Sequence, residues 1–91
     1  MTYEQKIMDL REEINKVNVE IIEKIGERIY IATKIASLKR KYNKPVVDKR
    51  REGAVLDQVK LLAREKGINP DGIERVFSEI IRICVEAEER L

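Results

Sequence analysis

The sequence predicts an all-α domain of three helices, the first far longer than the other two. Three observations carry this. Apolar residues recur at spacings of three and four, and no stretch alternates as a strand would. Helix-start signals stand at Thr2, Asp48 and Asn69. Between Thr2 and Asn43 the one residue hostile to a helix is Gly26, at a cost of about 1 kcal/mol.

The elements follow in order. Thr2-Tyr-Glu-Gln5 reads as a capping box opening helix one. The helix continues to about Tyr42 and stops at Asn43-Lys-Pro45, because proline restrains the residue before it. Asp48 caps helix two, which reaches about Lys66, with Gly67 suited to the left-handed position beyond its end. Asn69-Pro70-Asp71 combines a cap, a first-turn proline and a first-turn acid, and opens a third helix that runs to the C-terminus.

Helix one is the informative element. Some 37 residues at 1.5 Å each give about 55 Å. A compact chain of 91 residues is only about 30 Å across. Two short helices cannot cover such a rod, so the expectation is an intertwined homodimer. A kink at Gly26 that folds the rod back is the competing expectation, since sharp kinks gather at glycine and proline.

The 91 residues allow one domain, 1–91, and composition excludes several functions. No histidine is present, which removes Ser-His-Asp and Cys-His catalysis and imidazole metal ligation. A single cysteine, Cys84, excludes an intrachain disulfide and a multi-cysteine zinc site. Four aromatics without tryptophan argue against stacking platforms for single strands. The longest apolar run, Ile29–Ala32, is too short to span a membrane, and no basic start leads into an apolar core as in a signal peptide. A cytoplasmic, reduced protein is expected, with no metal and no cofactor. The abundance of Lys, Glu, Arg and Ile beside two glutamines points weakly to a thermophile.

Charge is concentrated. Between residues 39 and 51 stand Lys39, Arg40, Lys41, Lys44, Lys49, Arg50 and Arg51 against Asp48 alone. Such a field suits an anionic partner, although a solvated helix junction would look the same. The seam of helix one is more specific: Ile7, Leu10, Ile14, Val17, Ile21, Ile25, then Arg28, Ala32, Ile35 and Lys39. Helix two gives Glu52, Val55, Val59 and Leu62, with Arg51 beside the first. Helix three gives Ile73, Phe77, Ile80, Cys84, Glu88 and Leu91. Each helix thus carries charge where its pattern asks for an apolar residue.

An unpartnered buried charge costs several kcal/mol. Either Arg28, Lys39 and Arg51 pair with Glu52 and Glu88, or a bound anion completes the site. Arg28 and Lys39 are about 16 Å apart along the helix and turned by only about 20°, so they can grip one small molecule between them. Arg11 lies about 25 Å from Arg28 and is turned by about 100°, out of reach of that ligand within one chain. In an antiparallel dimer it reaches the partner's site.

These residues resemble the all-helical chorismate mutases over essentially the whole chain. The shared features are Leu10-Arg11-x-x-Ile14, Glu27-Arg28, Lys39, Pro45-Val46-x-Asp48-x-x-Arg51-Glu52 and Phe77-x-x-Ile80-Ile81, in one order and without a gap. The resemblance implies three helices per chain in an intertwined dimer with two active sites. It implies rearrangement of chorismate to prephenate, a pericyclic step on a small dicarboxylate needing neither nucleophile nor metal. By resemblance, Arg28 and Arg11 of the other chain bind the carboxylates, supported by Arg51. Glu52, with backbone near Asp48, holds the ring hydroxyl. Lys39 donates to the ether oxygen, and Cys84 and Glu88 complete the wall.

Two positions depart from the commonest pattern. Cys84 stands where many relatives have serine, and is expected to act as a small buried apolar residue. Glu88 stands where many have glutamine, and donates a hydrogen bond only when protonated. Lys41, Lys44, Lys49 and Arg50 are expected only to steer the substrate inward.

Three alternatives remain at this point. An isochorismate pyruvate lyase would use the same cationic site on a similar dicarboxylate. A non-enzymatic dimer would bind nucleic acid through residues 39–51, against which stand the inner-stripe placement of Arg28 and Lys39 and the acidic outer faces. A regulatory module for an aromatic amino acid would need a separate catalytic partner.

Overall fold

The computed structural model describes residues 1–90, and Leu91, the last expected position of the helix-three stripe, lies outside them. Three helices follow one another: α1 (Tyr3–Lys41), α2 (Lys49–Glu65) and α3 (Pro70–Glu89). The capping box forms as read, with the Thr2 hydroxyl accepting from the Gln5 amide at 3.2 Å and the Gln5 side chain accepting from the Thr2 amide at 3.3 Å. Asp48 Oδ1 accepts from the Arg51 amide at 3.0 Å and opens α2. Asn69 accepts from the amides of Asp71 and Gly72 ahead of α3.

The helix ends are built alike. After α1, Asn43 takes φ 56°, its amide donates to the Arg40 carbonyl, and the Lys44 amide donates to that of Lys39 at 2.8 Å. After α2, Gly67 takes φ 70°, and the Ile68 amide donates to the Ala63 carbonyl at 2.8 Å. Both are left-handed caps that satisfy terminal carbonyls. The stop of α1 therefore lies at Asn43, two residues before the proline. Asparagine tolerates the left-handed region through its short polar side chain. α3 ends at Glu89 with Arg90 as its cap.

α1 runs 39 residues without a break. Gly26 interrupts nothing, and the kinked alternative is not what the chain does. The molecule measures 62 × 27 × 15 Å with a radius of gyration of 17.3 Å. A compact chain of this length would have about 12 Å. α3 packs against both α1 and α2, while α1 and α2 do not approach each other closely. The core sits where α3 crosses the others: Ala36 of α1, Ala63 of α2, and Ile80, Ile81 and Cys84 of α3. Lys60 of α2 and Glu74 of α3 add an ion pair at 2.9 Å across that crossing.

Within the packed part of the molecule, two apolar positions of the predicted seams stay largely uncovered. Ile35 is 48% exposed and Leu62 46% exposed, and the neighbouring Ala36 and Ala63 are buried instead. The small alanines face α3 at the close crossings. α1 is covered only in its second half, and from Met8 to Lys24 every residue is exposed. Leu10, Ile14, Val17 and Ile21 are each more than half exposed.

Candidate active site

Where the ends of α1 and α3 meet the start of α2, the helices leave a cleft of about 280 Å³. α1 contributes Arg28, Ala32, Ile35 and Lys39 at helical spacing. The connection after Pro45 contributes Val46 and Val47, and the first turns of α2 contribute Asp48, Arg51, Glu52 and Val55. α3 closes the wall with Ile81, Cys84, Val85 and Glu88. Seven of the eight residues singled out in the sequence thus line one cavity: Arg28, Lys39, Asp48, Arg51, Glu52, Cys84 and Glu88. Arg11 lies elsewhere, exposed on the bare half of α1.

The cations hold their positions through neutral partners. Arg28 Nη1 donates to Cys84 Sγ at 3.0 Å, with Cys84 2% exposed. Lys39 Nζ donates to the Val46 carbonyl at 3.1 Å. Among the described residues, none of Arg28, Lys39 and Arg51 forms an ion pair with Glu52 or Glu88. Glu52 instead meets Lys49 at 3.5 Å, on the outside of α2. The self-neutralising network considered from sequence is therefore not formed.

Glu88 is half-buried, and its carboxyl titrates above the usual carboxylate range. Burial is the main cause, since it disfavours the charged form. Lys39 opposes it, Glu52 adds to it, and Arg28 and Arg40 oppose it. A carboxyl in this setting keeps its proton to higher pH than an exposed one, and as an acid it donates a hydrogen bond.

Sequence reasoning missed two features. The Val46 carbonyl that holds Lys39 is a backbone group, and nothing in the side-chain pattern announces it. The apolar walls of Ile81 and Val85 lie beside the helix-three stripe and carry no chemistry of their own. Among the described residues no group of three or more Cys, Asp and Glu could hold a metal ion. None of the described helices is long and apolar enough to cross a membrane.

Fold and cleft together define an all-helical domain with a half-buried cavity, lined by three cations and three carboxylates, at the junction of its helices. Residues 10–89 match the family described as chorismate mutase type II, and the chain belongs to that family. It is 28% identical to the bifunctional chorismate mutase/prephenate dehydratase of Aquifex aeolicus, over 96% of this chain and 25% of that protein. It is 29% identical to the T-protein of Haemophilus influenzae, over 90% of this chain and 22% of that one. Against the chorismate mutase of Methanocaldococcus jannaschii the identity is 25%, over 96% of this chain and 84% of the relative. The chain spans about a quarter of the length of the bifunctional relatives.

Proposed function

We propose that this domain is a chorismate mutase that converts chorismate to prephenate in aromatic amino-acid biosynthesis. The observation that carries the reading is the cleft itself, where Arg28, Lys39 and Arg51 line one cavity and, among the described residues, none of them forms an ion pair with Asp48, Glu52 or Glu88. A dicarboxylate gives those cations the direct ion-pair partners that the cleft's own carboxylates do not. The reaction breaks an ether C–O bond and forms a C–C bond within one molecule, so the site needs only to hold the reactive conformer and stabilise charge growing on the ether oxygen.

The residues divide this work. Arg28 binds a carboxylate through its planar guanidinium, and Cys84 Sγ, accepting from Nη1, holds that guanidinium in aim. Arg51 supports the anion site from α2. Glu52 and the backbone near Asp48 hold the ring hydroxyl. Lys39, steadied by the Val46 carbonyl, donates to the ether oxygen. Glu88, when protonated, donates to the same oxygen.

The domain acts as an intertwined homodimer in which Arg11 of the second copy completes the site. The exposed seam of Leu10, Ile14, Val17 and Ile21 supports this. So does an open groove of about 500 Å³ walled by Val17, Ile21 and Ile25 of α1 and Val76, Phe77 and Ile80 of α3, which reaches Arg28. Contiguous apolar surface of this kind marks an interface. Lys41, Lys44, Lys49 and Arg50, all exposed, draw the dianion inward. Buried, unpaired Cys84 suits a reducing, cytoplasmic setting.

The test is loss of chorismate absorbance on adding purified protein, with chromatography of the products and Arg28→Ala alongside. Prephenate from the wild type, lost in the variant, is expected. Pyruvate release from isochorismate instead would assign a lyase. No turnover by a folded dimer would remove the enzyme reading.

A further inference from the structure

Arg40 does not line the cleft, yet it makes a long-range contact with it. Its Nη2 donates to the main-chain carbonyl of Glu88 at 2.6 Å, across 48 residues of sequence. That carbonyl belongs to the last turn of α3, where helix carbonyls lack partners within the helix. The same turn carries Glu86, Glu88 and Glu89 and no basic residue. Acids at the negative end of a helix dipole are unfavourable. The last turn of α1, with Lys39, Arg40 and Lys41, lies alongside. Arg40 thus brings to the last turn of α3, from another helix, a cation that the turn itself lacks, in addition to Arg90 at the cap.

We propose that Arg40 is a positioning residue for Glu88: it clamps the terminal turn of α3 to α1 and so fixes how the Glu88 carboxyl meets the cleft. The proposal rests on the reading of Glu88 as a proton-bearing donor. Glu88 is faced by Arg28, Lys39 and Arg40 from α1 and by Glu52 from α2, with Asp48 and Arg51 lining the same cleft. Arg40 is one of the cations that hold its titration down against the effect of burial. Removing that charge lets the proton stay to higher pH. The limb on which activity falls must then move to higher pH as well.

The experiment compares wild type, Arg40→Gln and Arg40→Lys. Each is followed by carbon-13 NMR of the Glu88 carboxyl, assigned against Glu88→Gln, and by the pH profile of turnover. Arg40 is exposed, and circular dichroism checks that each replacement is folded before it is scored. In Arg40→Gln the carboxyl midpoint and the activity limb both move to higher pH, and turnover at low pH falls roughly tenfold as the carboxyl loses its placement. Arg40→Lys, which keeps the charge, returns the midpoint towards the wild-type value. An unmoved midpoint in Arg40→Gln overturns the proposal, even if turnover drops, because a mere brace would do that. A moved midpoint beside an unmoved limb overturns it too. A midpoint that moves in Arg40→Gln, beside a wild type that never consumes chorismate, leaves the clamp standing and removes the proposed reaction instead.

Discussion

The two halves of α1 share one apolar spacing and have opposite surroundings. From Ile25 onward the seam lies against α3, and charges break it at Arg28 and Lys39. Before Ile25 the seam runs apolar and uninterrupted from Ile7, and Met8 to Lys24 stand in solvent. Interruption marks the cleft, and continuity marks a packing face. The same periodicity therefore says two things, depending on whether polar atoms intrude on it. In the covered half, desolvation makes each intruding charge costly unless something answers it. In the bare half, the exposed Leu10, Ile14, Val17 and Ile21 leave apolar surface that, in the proposed dimer, a second copy covers.

The sharpest way to break this comparison is to remove one cation from each half. Arg28→Ala and Arg11→Ala are each expected to lower kcat/KM by roughly 10²–10³-fold, since each removes a donor aimed at the bound anion. Mixed after unfolding and refolding together, the two inactive chains should regain roughly a quarter of wild-type activity, as half the dimers carry one intact site of two. No recovery would mean that Arg11 serves its own chain or none.

A charge placed in the bare seam comes next. Ile14→Asp should weaken self-association by about a hundredfold or more, read by sedimentation equilibrium as monomer, because the proposed dimer would bury an unpaired carboxylate there. An unchanged mass would assign the seam to another occupant.

Glu88→Gln sharpens the covered half. Wild-type activity should fall as pH rises through the elevated Glu88 titration, roughly tenfold per pH unit beyond it. The sign follows from chemistry: deprotonation removes the donor. The variant donates at every pH, so its profile should be flat over the same range. An unaltered profile would assign the limb to another group.

Lys49→Ala should do least, because Lys49 is exposed and its ion pair with Glu52 is a surface one. We expect less than roughly threefold in kcat/KM, shrinking further at high salt, and no change in kcat. A large loss of kcat would place Lys49 inside the chemistry.

Much of the fold was legible because its signals are local. Thr2, Asp48 and Asn69 each cap the helix they were expected to open, through bonds spanning two or three residues. The end of α1 was less so. Pro45 is the louder signal, but the left-handed residue is Asn43, which any turn-tolerant residue could have hidden. Charges on or beside the apolar stripes exposed five residues of the cleft, Arg28, Lys39, Arg51, Glu52 and Glu88, because a charge in such a place is costly and therefore informative, while Asp48 and Cys84 came through the family resemblance. The Val46 carbonyl and Arg40 left no such trace. One is backbone, and the other sits one position off the stripe and acts through a carbonyl that only the tertiary fold brings near. Ile35 and Leu62 show the same limit: spacing names a face, while the neighbouring helix decides which of two adjacent residues it covers.

The unbroken course of α1 turns residue count into a measuring device. Deleting one residue between Arg11 and Arg28 would draw the two guanidinium groups about 1.5 Å closer and swing one about 100° around the axis relative to the other. No loop intervenes to absorb the error. A substitution on the outer face of that stretch leaves the spacing intact, whereas a single insertion or deletion is a phase slip between two places that the proposed dimer requires to agree. In such a rod, length positions the two guanidinium groups as directly as any side chain does.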